Sequence, residues 1–195
     1  MPPKAKFTKN EIIKAALDIV RTEGMQALTA RALGLKLGSS ARPVFTVFET
    51  MEEVQQEVIA AAKQVYKGYV NAGLEQTEHP KFKGVGIQYI AFAIKEPKLF
   101  QILFMSEQFQ KVLITNVLPH IEDSYSEILF SVQECYDLNE NAAEKLYRHL
   151  WIYTHGIAAL YATNMCMFSA EEVSEMLTEV CMSLLKNIKA GNIND

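Results

Sequence analysis

The chain has 195 residues, 49% hydrophobic and 22% charged, with a net charge of −4. That is enough apolar material for a sizeable core, and it argues against a disordered chain. The length suits one large domain or a small domain joined to a mid-sized one. Only six prolines and nine glycines interrupt it, which favours long helices. The three cysteines, Cys135, Cys166 and Cys181, are odd in number and unpaired in spacing. They argue for reduced, buried thiols in a cytoplasmic protein rather than a disulfide framework or a zinc site. No apolar signal region follows Met1-Pro2-Pro3-Lys4, so no secretion is expected. Leu150 to Phe168 is apolar, but Thr154, His155, Gly156, Thr163 and Asn164 break it up, so a buried helix is expected rather than a membrane span.

The charge is unevenly spread. Residues 1–50 hold eight Lys/Arg and four Asp/Glu, a net of +4. Residues 51–195 hold eleven and nineteen, a net of −8. A basic head on an acidic body points to a polyanionic partner for the head alone.

Strand-like alternation is missing and helical spacing is nearly continuous, so an all-α fold of about nine helices is expected. Thr8 and Glu11 sit in capping-box positions. Ile12, Ile13, Ala16, Leu17 and Val20 form the apolar stripe of a first helix, which Gly24 closes in a left-handed cap. Thr29 caps a short second helix carrying Ala32, Leu33, Leu35 and Leu37. The third segment is "GSSARPVFTVF". Ser40 reads as the N-cap of a helix, with Ala41, Arg42 and Pro43 in its first turn, where a missing amide costs little. Gly34 permits a close crossing and Gly38 a positive-φ turn. Leu33, Leu37, Val44 and Val47 are spaced to plug the small core.

"TMEE" at Thr50 to Glu53 is a second capping box and opens a long helix. Helices are then predicted at about Lys81 to Lys95, Pro97 to Ser106 and Gln110 to Cys135, the last kinked or broken at Pro119. Two more follow, from about Glu140 to Met165 and from the capping box Ser169-Ala-Glu-Glu172 onward.

On spacing alone, Leu37 to Phe48 is either a tight helical corner or a helix-turn-helix that enters DNA. The motifs "IIKAALDIVRTEG", "LTARALGLKLGSS", Phe45, Phe48 and "ETMEEV" together resemble the DNA-binding head of the tetracycline repressor family of bacterial regulators. The resemblance covers about a quarter of the chain, residues 8–54. It implies a DNA-binding domain at 1–50 and an effector-binding and dimerisation domain at 51–195. It also implies a homodimeric, ligand-responsive repressor that binds a palindromic operator, without enzymatic activity or cofactor. Thr29 and Phe45 would lie against phosphates. Ser39, Ser40, Ala41, Arg42 and Thr46 would face the major groove, with Pro43 stiffening the segment and Lys6, beside Lys4 and Lys9, reaching the backbone or minor groove. Arg42 suits a guanine edge, a contact of about 1–3 kcal/mol. The chain departs from the family pattern at Phe45, where a tyrosine is usual, and at Met51, where a lysine is often found. Each departure removes a phosphate anchor.

Reading two half-sites requires two heads, about 34–36 Å apart or a multiple of that. The dimer interface is expected on the last two helices, through Leu146, Leu150, Tyr153, Ile157 and Tyr161 on one and Val173, Leu177, Val180, Leu184 and Ile188 on the other. "WIYTHG" at Trp151 to Gly156 resembles a Trp…His-Gly signature of one class of C-terminal domain in this family. A small apolar or aromatic effector is expected among Phe92, Phe100, Phe104, Met105, Phe109, Tyr125, Phe130, Tyr147, Trp151, Tyr153 and His155, although the same residue types build ordinary cores. The rival readings are a helical small-molecule carrier or enzyme, and an adaptor for other proteins. Neither a nucleophile–base pair nor a phosphate loop is visible, and the four histidines lack metal-ligand spacing.

Overall fold

The computed structural model describes residues 6–106 and 113–191. Among these the chain is all-α, with nine α-helices and no strand. It divides into two compact units, Met1–Lys67 with Glu96–Gln108, and Gly68–Lys95 with Phe109–Asp195.

The first unit begins with α1 (Lys9–Glu23). Thr8 caps it as its spacing predicts: the hydroxyl accepts from Glu11 N, and the Glu11 carboxylate accepts from Thr8 N at 2.8 Å. Those bonds to Thr8 hold the Glu11 carboxyl below its ordinary range. Gly24 ends the helix at φ 89°, ψ 170°. This is an extended, positive-φ conformation open essentially to glycine alone, not the left-handed helical cap expected. A 3-10 turn (Met25–Ala27) leads to α2 (Ala30–Lys36), where the Thr29 hydroxyl accepts from Ala32 N at 3.1 Å.

The third segment departs from expectation. Residues 41–43 form a turn, and only Val44–Thr46 is helical, as a single 3-10 turn capped by Pro43 instead of Ser40. The reason is local. Pro43 has no amide to donate, three of the next four residues are β-branched, and the Thr46 hydroxyl donates back to Pro43 O at 2.7 Å. Apolar burial holds the turn in place. Val44 is wholly enclosed and Phe48 nearly so, each worth roughly 1.5–3 kcal/mol.

α3 (Met51–Glu75) follows. Thr50 accepts from Glu53 N, but the Glu53 carboxylate accepts from Glu49 N rather than Thr50 N, so the box is offset by one residue. α5 (Pro97–Phe104) packs on α1 and starts on proline, which the first turn accommodates. Glu96 stands at its N-cap, yet its carboxylate accepts from Arg21 Nε at 2.8 Å. Phe100, Phe104 and Tyr66 form an aromatic chain, with centroids 5.0 and 5.2 Å apart.

In the second unit α4 (Lys81–Lys95) runs over the predicted residues. The expected helix from Gln110 is two helices within the described residues, α6 (Val117–Ile121) and α7 (Tyr125–Tyr136). The break lies at residues 122–124, after Pro119 and not at it. Pro119 is the third residue of α6, inside the first turn, where its ring meets no preceding helical carbonyl. α8 (Glu140–Ala162) packs against α4, α7 and the last helix, α9 (Ala170–Lys189). It stops three residues short of Met165. Ser169 and Glu172 form the expected box at the start of α9. No helix of the described residues is long and apolar enough to cross a membrane.

Candidate nucleic-acid interface and candidate effector site

The head's geometry starts at Gly34. A Cβ there would stand 2.7 Å from Ser40 C and 2.8 Å from Ala41 N, so the residue must be glycine for the backbone to pass. Ser39 N donates to Gly34 O at 2.8 Å, and Gly38 sits at φ 64°. The turn therefore doubles back on α2. It leaves Ser40, Arg42, Phe45 and Thr46 exposed along one edge and Ser39, Ala41 and Pro43 half-buried. Thr29 is also exposed, at the start of α2. Thr46 spends its donor on Pro43, so its oxygen serves only as an acceptor. Phe45 is 46% exposed, an unusual position for a phenyl ring. Lys6 comes to the same edge: its ammonium donates to Ser39 Oγ at 3.1 Å across 33 residues. Lys9 lies instead against Glu57 at 2.6 Å and over the Phe48 ring. Lys4 lies outside the described residues.

The residues expected to hold an effector fall in both units. Phe100 is fully buried in the first, with Phe104 packed on it, and Met105 is 45% exposed. Phe92 is fully buried in the second unit, against Tyr69. Phe130 faces solvent at 60% exposure, and Phe109 lies outside the described residues.

The second unit gathers the others around α8. The Trp151 ring stacks on His155 at 5.1 Å. His155 Nδ1 and the Tyr89 hydroxyl share a hydrogen bond of 2.8 Å. Burial lowers the His155 pKa, so the imidazole is neutral at pH 7. The Tyr125 and Tyr147 rings lie 6.0 Å apart, and the Tyr125 hydroxyl donates to Glu144 Oε1 at 3.1 Å. Burial and that carboxylate push the Tyr125 phenol up to about 12. Glu122 is buried at the α6–α7 corner, with Oε1 accepting from Ser124 N at 3.2 Å. Burial chiefly, and then neighbouring negative charge that includes Glu122, raises the pKa of both Tyr89 and Tyr147. The result is a run of phenols beside a neutral imidazole and a buried acid, suited to hydrogen bonding rather than proton abstraction. Tyr153 is half-buried on the same helix. A depression of about 430 Å³, lined by Asn141, Glu144, Lys145 and Arg148, lies on the first half of α8.

Tyr89, Glu122 and the Lys6–Ser39 bond carried no sequence signal. Tyr89 reads as one more aromatic on an apolar helix, and Glu122 as a loop acid in "IEDS". Only folding brings α4 and α8 together.

The apolar stripe of α8 is largely spent inside the unit. Leu146, Leu150 and Ile157 are buried within the single chain. Tyr161 donates to Phe168 O at 2.7 Å and closes the α8–α9 connector. Ile152, at 43%, and Gly156 face outward. On α9, Val173, Leu177, Val180, Leu184 and Ile188 are only half-buried. Cys135 and Cys166 are exposed and Cys181 half-buried, which corrects the expectation of buried thiols. Cys135 lies in the last turn of α7, Cys166 in the connector between α8 and α9, and Cys181 in the middle of α9. Among the described residues no group of three or more His, Cys, Asp or Glu is placed to hold a metal.

Compared with known families, residues 82–183, just over half of the chain, match the tetracyclin repressor-like, C-terminal domain family. No curated protein matches the chain.

Proposed function

We propose, from the premise that the chain belongs to the tetracyclin repressor-like family, that it is a DNA-binding transcriptional regulator, a ligand-responsive repressor acting on a palindromic operator as a homodimer. The observation that carries this reading is the exposed edge of Ser40, Arg42, Phe45 and Thr46, held up by the Gly34–Ser40 backbone contact and joined by Lys6. A purely structural corner has no need of an exposed phenyl ring beside an arginine and a lysine on a head of net charge +4. Arg42 contacts a base, and Lys6 and Thr29 contact phosphates. Phe45 packs on the sugar–phosphate backbone without the hydroxyl bond a tyrosine would make.

The body holds a small apolar or aromatic effector beside the Trp151–His155–Tyr89 cluster, with "WIYTHG" as its signature. The second copy packs on α9 and the outer side of α8, through Leu177, Val180, Leu184 and Ile188 with Ile152 and Gly156. Effector binding favours one arrangement of α3, and a preference of about 1–3 kcal/mol shifts operator affinity severalfold to a hundredfold.

Fluorescence anisotropy of the full chain with random duplex DNA at 50 and 200 mM salt tests this directly. Binding that weakens steeply with salt is expected, and selection from a random DNA pool should return two inverted half-sites. Arg42→Ala should relax base preference at one position of each half-site by about 1–3 kcal/mol while leaving the fold intact. Salt-independent or missing DNA binding would favour the carrier reading, which the aromatic cluster alone would also serve.

A further inference from the structure

We infer that Thr46 is a specificity-determining residue, one that accepts a hydrogen bond from the exocyclic amine of an adenine or a cytosine; this rests on the DNA-binding reading above. What decides its partner is where its proton goes. The Thr46 hydroxyl lies 2.7 Å from Pro43 O, and a carbonyl can only accept, so the proton is spent there. Thr46 N donates to the same carbonyl at 3.2 Å. Both donors of the residue thus converge on one atom, and the β-branch leaves the side chain little freedom to turn away. Thr46 is nonetheless exposed. It offers a partner lone pairs and a methyl group, and no proton.

A DNA duplex gives such a group few choices. Its phosphate and sugar oxygens are themselves acceptors, so they cannot bond to an oxygen with no proton to give. The donors of the major groove are the N6 amine of adenine and the N4 amine of cytosine, whereas guanine O6 and N7 and thymine O4 only accept. Neighbouring hydroxyls are set the other way. Thr29 Oγ1 accepts from Ala32 N at 3.1 Å, and Ser39 Oγ accepts from Lys6 Nζ at 3.1 Å. Each keeps its own proton and suits a phosphate oxygen, and Arg42 carries donors only. Thr46 has the opposite polarity, which matches a base and not the backbone.

Selection from a random DNA pool with the full chain and with Thr46→Val tests this. At one position of each half-site the wild type should favour adenine or cytosine over guanine or thymine by about fivefold or more. Thr46→Val should lose that preference and keep the others. Its affinity for random duplex DNA should stay within about twofold of the wild type, because no backbone contact is removed. Duplexes in which the selected adenine is replaced by unsubstituted purine, or the cytosine by 2-pyrimidinone, lack only the amine. They should bind the wild type and Thr46→Ser about fivefold more weakly, and Thr46→Val no more weakly than before. The wild-type arm decides the matter even where valine disturbs the turn. Guanine or thymine at the Thr46-dependent position, an unchanged profile with Thr46→Val, or no effect of removing the amine would overturn the inference and leave the DNA-binding reading standing. A wild type that binds no DNA would sink that reading, and the inference with it.

Discussion

Gly34 shows how a single missing methyl group sets a surface. Its Cα faces the Ser40 carbonyl closely enough that any Cβ overlaps backbone, which has no rotamer to yield. Gly34→Ala should destabilise the head by about 1–3 kcal/mol and displace the 40–46 edge. Urea denaturation together with amide chemical shifts of residues 38–48 would register both. His155 makes a pH-dependent contribution of known sign. Burial keeps its folded pKa below the ordinary value of 6.5, so the unfolded chain takes up the proton first. That contribution is fully present above pH 6.5 and is lost as pH falls below it. The wild type should therefore lose stability between pH 7.5 and 5, and His155→Gln should reduce that slope. His149, shifted down by burial and by nearby Arg148 and Lys145, acts in the same direction. Denaturant midpoints at the two pH values for both proteins provide the check. At this scale the sequence was partly legible. Gly34 and Arg42 stood out because their spacing serves a local turn. The Tyr89–His155 pair did not, because it joins positions 66 residues apart.

At the scale of elements, helix starts were the most readable features. Thr8, Thr29 and Ser169 all cap as their spacing indicates, since a cap depends only on residues three apart. Thr8→Ala and Ser169→Ala should each cost about 1 kcal/mol, measurable as a lowered denaturation midpoint. Helix ends and breaks were less legible. Pro119 suggested a break at itself, but a proline in the first turn opens a helix as readily as it interrupts one. The segment after Gly38 deceived for a related reason. Its apolar spacing suits a helix, but spacing does not reveal whether the backbone bonds close, and Pro43 with Thr46 diverts them into a 3-10 turn.

For the whole molecule, the apolar surplus of the last two helices was visible, but not its division. Most of α8's stripe lines the core of the second unit, and α9 keeps its row of half-buried side chains. Periodicity counts apolar faces without saying which neighbour covers them. The proposed dimer has a direct test. Leu184→Glu combined with Ile152→Glu should convert a sedimenting dimer to monomer, and far-UV circular dichroism should stay helical because neither side chain is fully buried. A wild-type monomer at micromolar concentration would remove the dimer from the proposed mechanism.

The 3-10 turn at Val44–Thr46 also bears on how the exposed edge can change over evolution or in the laboratory. Its course is fixed from beneath by Gly34, Val44 and Phe48 and at its edge by the Thr46–Pro43 hydrogen bond, while Ser40, Arg42 and Phe45 project outward with little share in the support. Support and exposed surface are therefore carried by separate residues. A combinatorial library at positions 40, 42 and 45 should yield mostly folded proteins, whereas randomising 34, 44 or 48 should yield few.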